Sequence, residues 1–165
     1  MTWVNYMTII IPKVSFPLFT GIAINGKLAV NKTPMHQFST FLMFEGNAEE
    51  AMNFYVSLFG GVVNSISRYG DNGPGKPGSV MHATFALGGQ SFRCIDSAVH
   101  HGFTFTPAIS VYVQLDSEAA TDRVAAALAE GGKTLMPLGA YPFSKRYTWL
   151  TDRFGVSWQL SLKQQ

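Results

Sequence analysis

The chain has 165 residues, enough for one domain with a sizeable core and too few for two large ones. Apolar residues make up 47% and charged residues 13%, a balance that excludes a disordered or fibrous chain. The net charge of +2 is scattered, with Lys145 beside Arg146 as the only adjacent Lys/Arg pair, so no nucleic-acid footprint is present.

Residues 1–34 are poor in acidic side chains and close on Asn31-Lys32-Thr33-Pro34, where a boundary is expected. Within them Asn25-Gly26 separates two short apolar runs, the signature of a type I′ hairpin turn. This extension is expected to be either an added hairpin or a disordered leader. A secretory signal would place basic residues ahead of its apolar stretch. Here the first basic residue is Lys13, and Pro12 and Pro17 interrupt what surrounds it, so a signal peptide is not expected. No run reaches the roughly 18 apolar residues needed to span a bilayer. The single cysteine, Cys94, has no partner in the chain and points to a reducing, cytoplasmic setting.

The domain proper is expected over residues 35–165. Residues 38–44 form an apolar run of strand length, and Asn47 follows as a predicted N-cap with Glu49 and Glu50 in the first helical turn. Ala48, Ala51, Met52, Tyr55, Leu58 and Phe59 recur at helical spacing until Gly60-Gly61 stops the helix. A strand over 62–69 comes next, then an open loop over 70–78 rich in Gly, Pro, Asp and Asn. Strands over 80–87 and 90–96 are joined by Gly88-Gly89, a two-residue hairpin signal.

The same order then recurs. A strand over 108–115 precedes Ser117, a predicted N-cap, and an Ala-rich helix over 119–130 that stops at Gly131-Gly132. Strands over 134–138, 146–151 and 156–162 complete this half, with Asp152-Arg153-Phe154-Gly155 as the turn between the last two. Superposing the two double glycines gives an offset of 71 residues, which also places Phe41 on Tyr112. The side chains match poorly, but the element order repeats, as in an internally duplicated fold. Module one is expected over 38–97 and module two over 106–162.

This duplicated βαβββ order resembles the vicinal oxygen chelate superfamily, which includes glyoxalase, bleomycin-resistance and dioxygenase proteins. The strings FEGNAEEAMNFYVSLFGG at 44–61, HGFTFTPAISVYVQ at 101–114 and GGKTLMPLGAYPFSKRYTWLTDRFGVSWQLSL at 131–162 are similar to its PhnB-like branch, often labelled demethylubiquinone methyltransferase-like. The resemblance implies an α+β fold in which two βαβββ modules form an incompletely closed, eight-stranded mixed barrel around a ligand, usually in a homodimer. It also implies that metal-using relatives draw ligands from the first and last strands of each half. Those positions fall near Thr40, at Asp96, at Thr106 or Pro107, and at Gln159. Asp96 is the one natural divalent ligand in that set, whereas a first-row metal wants about three or four His, Asp, Glu or Cys donors. No cofactor is therefore expected, the alternative being a divalent metal held off-pattern by Gln159 with His82, His101 or Cys94.

Several side chains suit a binding or catalytic role. His82 is expected to project with Val80 and Thr84, away from Met81, Ala83, Phe85 and Leu87, and would be a base near neutral pH or a hydrogen-bonded structural histidine. Asp96, on the face of Phe92 and Cys94, would be a base or the cap of the following loop. Cys94 reads as a buried, inert thiol. His101 stands in the loop ahead of the fifth strand, where binding residues gather. Tyr141 to Trp158 is rich in aromatic and cationic side chains, with Tyr147 and Trp149 at its centre, and suits a flat, partly anionic or quinone-like ligand. Thr40, Phe105, Tyr112 and Gln159 complete the expected ligand-binding set.

Two functions follow. One is a metal-free module that binds a small molecule in the pocket between the modules, with no nucleic-acid or membrane partner. The other is an isomerase, lyase or dioxygenase acting on an oxygenated or quinone-like substrate through His82, Asp96 or Gln159. Methyl transfer is disfavoured, because the double glycines follow helices and no Gly-rich turn follows the first strand of a doubly wound sheet.

Overall fold

The computed structural model describes residues 36–164 of the chain. The N-terminal segment, with the hairpin expected at Asn25-Gly26, lies outside them.

The described residues form β1 (Thr40–Phe44), α1 (Ala48–Phe59), β2 (Val62–Arg68), β3 (Val80–Leu87), β4 (Gln90–Asp96), β5 (Val111–Leu115), α2 (Glu118–Ala129), β6 (Lys133–Tyr141), β7 (Ser144–Thr151) and β8 (Ser157–Leu162). The duplication is complete at the level of topology. One sheet runs β1-β4-β3-β2 and the other β5-β8-β7-β6, each with its first strand parallel to its fourth and the other neighbours antiparallel. All eight strands of the expected α+β fold are present, as two four-stranded sheets and not as a closed barrel.

Among the described residues, each sheet has one face toward a helix and one open face that no helix covers. In module one Leu42 and Phe44 of β1, Phe85 and Leu87 of β3, and Phe92 and Cys94 of β4 are buried on the helix side. Strand alternation puts Phe41, His82, Thr84 and Arg93 on the other. In module two Leu150, Trp158 and Leu160 point to the helix side, and Tyr112, Tyr147, Trp149 and Gln159 to the open side.

The helix faces of the two modules share one core. Tyr55 of α1 packs on Trp158 of β8 at 5.0 Å between ring centroids, and Phe59 stacks on the same indole at 5.2 Å. Trp158 is 1% exposed, so losing its ring would cost about 3–5 kcal/mol. It belongs to the core and not to a ligand surface, despite its place in the aromatic-rich segment.

Four local expectations are corrected. Asn47 occupies the N-cap position of α1, but its side chain makes no capping bond; Asp96 takes the first helix amide, that of Ala48, instead. Val80 does not share a face with His82. A register shift between Ser67 and Arg68 lets both Val80 and Ala83 be buried while Met81 and His82 stay accessible. The fifth strand starts at Val111, because Thr106 to Ile109 turns, with Ile109 N donating to Thr106 O at 3.4 Å. β6 runs on through Pro137 and Gly139, which a sheet edge tolerates, with register shifts on either side. Ser117 caps α2 as expected, its Oγ accepting from Ala120 N at 3.2 Å.

Candidate functional site

The expected site residues fall into three groups. The first is a cleft of about 730 Å³ lined by Phe41, Glu45, His101, Phe103, Phe105 and Phe154, among others. It shares Phe41, Thr104 and Phe105 with a second cleft of about 380 Å³ that adds Thr40, Ile109 and Ser157. Thr40, His101 and Phe105 therefore lie together between β1 and the segment leading into β5. Glu45 orders this wall. His101 N donates to its Oε1 at 3.0 Å, and His100 Nδ1 lies 2.8 Å from its Oε2. The His101 amide first, and His100 next, hold the Glu45 carboxyl below its ordinary range. His101 Nε2 sits 2.9 Å from Ser97 Oγ, so its ring and its amide both tie the loop down.

The second group covers the open face of module two. Tyr112 is the direct cross-strand partner of Gln159, and Gln159 that of Trp149. The Tyr147 hydroxyl donates to Gln159 Oε1 at 2.8 Å, and Trp149 Nε1 donates to Ser157 Oγ at 3.0 Å. Tyr141 and Phe143 pack edge-on against Tyr147 at 5.6 and 4.9 Å. Burial, and then the neighbouring Tyr112 and Tyr141, push the Tyr147 phenol above its ordinary value, so it is a hydrogen-bond donor and not an anion near neutral pH. Tyr112 keeps 55% of its surface exposed beside this row. Ser157 also lines the smaller cleft, which links the two groups.

His82 belongs to a third group, the open face of module one. Its ring lies 6.5 Å from that of Phe41, and its Nε2 is 3.4 Å from Arg93 Nη1. Arg93 was not among the expected residues. The signal for it is the Gly88-Gly89 hairpin, which places Thr84 opposite Arg93 and turns Arg93 away from buried Phe92 and Cys94.

Asp96 is not brought to either open face. It is 4% exposed, its Oδ1 accepts from Gly46 N at 2.8 Å and Ala48 N at 2.9 Å, and its Oδ2 accepts from Val80 N at 2.9 Å. A carboxylate holding three backbone amides is a fixture of the fold, and its lone pairs are engaged where a metal would need them. The four inherited ligand positions thus do not fit a metal ion, and among the described residues no three His, Cys, Asp or Glu side chains gather to hold one. Nor do the residues fit S-adenosylmethionine in the manner of the common methyltransferases. Gly60-Gly61 and Gly131-Gly132 follow α1 and α2, and neither sheet is doubly wound.

Comparison with known proteins agrees with this architecture. The family model described as 3-demethylubiquinone-9 3-methyltransferase matches residues 36–161. The chain is 61% identical to the PhnB protein from Bacillus cereus, over 78% of this chain and 100% of that one, with a TM-score of 0.76. A protein from Pseudomonas aeruginosa is 31% identical, over 79% of this chain and 100% of that one, with a TM-score of 0.69. A fosfomycin resistance protein from Mesorhizobium loti, 13% identical over 79% of this chain and 94% of that one, shares the fold at a TM-score of 0.53. No curated protein matches. With two βαβββ modules of the same strand order and a family match spanning both, the chain belongs to the PhnB-like, 3-demethylubiquinone-9 3-methyltransferase-like family of the vicinal oxygen chelate superfamily.

Proposed function

We propose that the chain is a metal-free binding protein for a small, flat organic molecule, held on the open sheet faces of its modules. The observation that carries this is the row Tyr112, Gln159 and Trp149, with Tyr147 donating to the same glutamine. Aromatic faces around one amide, on a sheet surface that neither described helix covers, are the composition of a small-molecule site.

A homodimer is the assembly proposed to enclose that site. Among the described strands β1 and β5 are edges, and Phe41 and Tyr112 on the open faces remain 53% and 55% exposed. A second copy laid against them would remove that apolar surface from water. A cytoplasmic setting is proposed from the single cysteine, and no helix among the described residues is long and apolar enough to cross a membrane.

The alternative is an isomerase, lyase or dioxygenase with His82 as base, favoured by the position of His82 on an open face. Engagement of both Asp96 oxygens by backbone amides argues against Asp96 in that role. Methyl transfer is not proposed, since the glycine pairs lack the position a nucleotide cradle requires.

A thermal-shift panel of quinones, phenols and divalent metals, run with metal analysis and light scattering, tests the reading. Stabilisation by an aromatic ligand of a metal-free dimer is expected, because a ligand of the native state raises Tm. A stoichiometric, stabilising metal would overturn it.

A further inference from the structure

Most arginines of the domain have acidic partners. Arg68 is gripped by Glu49 and Arg146 by Asp122, each through two nitrogens, and Arg153 lies 3.7 Å from Glu50. Arg93 differs. It stands mid-strand in β4, half-buried on the open face of module one, and no carboxylate pairs with it among the described residues. Its hydrogen-bond contact there is the long one to His82 Nε2, which leaves most of its five N–H donors unspent.

The strands themselves supply no counter-ion. The eight described strands contain a single acidic residue, Asp96, and it faces the helix side, held by backbone amides. A second copy laid over this face with its own module-two sheet would bring tyrosine, tryptophan, glutamine and serine, but no carboxylate. Next to Arg93 across the ladder is Thr84, whose hydroxyl lies 2.7 Å from that of Ser65. One proton of that pair joins the two oxygens, and the other is free to donate. The Phe41 ring supplies an apolar wall on the β1 side.

We propose that Arg93, flanked by His82 and the Ser65–Thr84 hydroxyl pair, is an anion subsite for a ligand bearing a carboxylate or a phosphorus oxyanion. A guanidinium partly withdrawn from water is stabilised by an acceptor matching its planar fork, and such an acceptor here comes from the ligand. This deepens the binding reading and rests on it. Phe41 holds the carbon body, Arg93 the charge, and the hydroxyl pair a third acceptor position.

Calorimetry of the full chain with benzoate, phenylphosphonate and neutral benzamide tests the assignment. At least one anion is expected to bind about tenfold tighter than benzamide, the tighter of the two naming the oxyanion class. Arg93→Gln should bring both anions down to the benzamide level and leave benzamide unchanged, and Arg93→Lys should fall between. In wild-type protein the anions, and not benzamide, should shift the His82 ring resonances saturably, a readout that needs no variant. If all three probes bind alike, or if Arg93→Gln binds anions as wild type does, the subsite is wrong while the binding reading stands. Binding of none of them overturns both.

Discussion

The Tyr55 hydroxyl donates to Asp152 Oδ2 at 2.7 Å, across 97 residues of sequence and from the helix of module one to the hairpin turn of module two. Trp158 Nε1 donates to the same oxygen at 2.8 Å, while Phe154 N and Val156 N donate to Oδ1 at 2.9 and 3.0 Å. Burial, then the Asp152 charge, push the Tyr55 phenol far above its ordinary value, so it keeps its proton and remains a donor. Tyr55→Phe should cost about 1.5–3 kcal/mol in urea unfolding, the range for a hydrogen bond to a charged group. Asp152→Ala, which leaves four donors without an acceptor, should cost at least twice as much. A Tyr55→Phe protein as stable as wild type would refute the clamp.

Asp96 is expected to matter for stability and not for ligand capture. Asp96→Asn presents an amide N–H₂ to one set of backbone donors and should lose about 2–4 kcal/mol. The surviving folded protein should bind the aromatic probes with unchanged affinity. Selective loss of binding without loss of stability would restore Asp96 to the functional site.

The two double glycines divide their labour in the same way. Gly60 and Gly131 adopt φ of 68° and 70°, the left-handed turn that ends each helix region. Gly61 and Gly132 are required for space: a Cβ there would meet Ala86 O at 2.3 Å and Thr151 O at 2.2 Å. Both neighbours are strand backbone and cannot swing aside. Gly61→Ala and Gly132→Ala should each destabilise by about 2 kcal/mol or more by thermal unfolding. Tolerance of either would mean that the strand ends yield more easily than this packing implies.

The Glu45 latch has a pH signature. A carboxyl held below its ordinary 4.5 keeps its contribution at all pH values above 4.5 and loses it as pH falls through the lower, folded value. The His101 amide proton, hydrogen-bonded to Glu45 Oε1, should therefore titrate in NMR with a midpoint under 4.5. A midpoint at or above that value would show the carboxylate to be free of the loop.

Cys94 is fully buried, and burial followed by the nearby Asp96 charge pushes its thiol up to about 12. Iodoacetamide at pH 8 should leave the native protein unlabelled and modify it fully in denaturant, as mass spectrometry would read. Rapid native labelling would place the thiol outside the core.

β3 and β4 have the bounds expected from sequence because Gly88-Gly89 marks their ends and period-two alternation their faces. Tyr112, Tyr147, Trp149 and Gln159 are singled out by residue type and resemblance, and only the pairing of β5, β8 and β7 puts them on one surface. Alternation failed where the chain departs from ideal pairing. The bulge opposite Val80 and the run of β6 through Pro137 leave no mark in local propensity. Asp96 was ambiguous for a related reason. A carboxylate at a strand end looks alike whether it faces solvent or three amides, and Gly46, Ala48 and Val80 come to it only through tertiary folding. Arg93 was legible in principle, from its opposition to Thr84 across a two-residue hairpin, but not from its residue type.

Trp158 is the floor on which Tyr55 and Phe59 rest, and Asp152 the acceptor that Tyr55 needs. The two modules are thereby interdependent. A gene fragment encoding either half would strand an aromatic surface or a buried carboxylate without its complement, so neither half should fold as an independent unit.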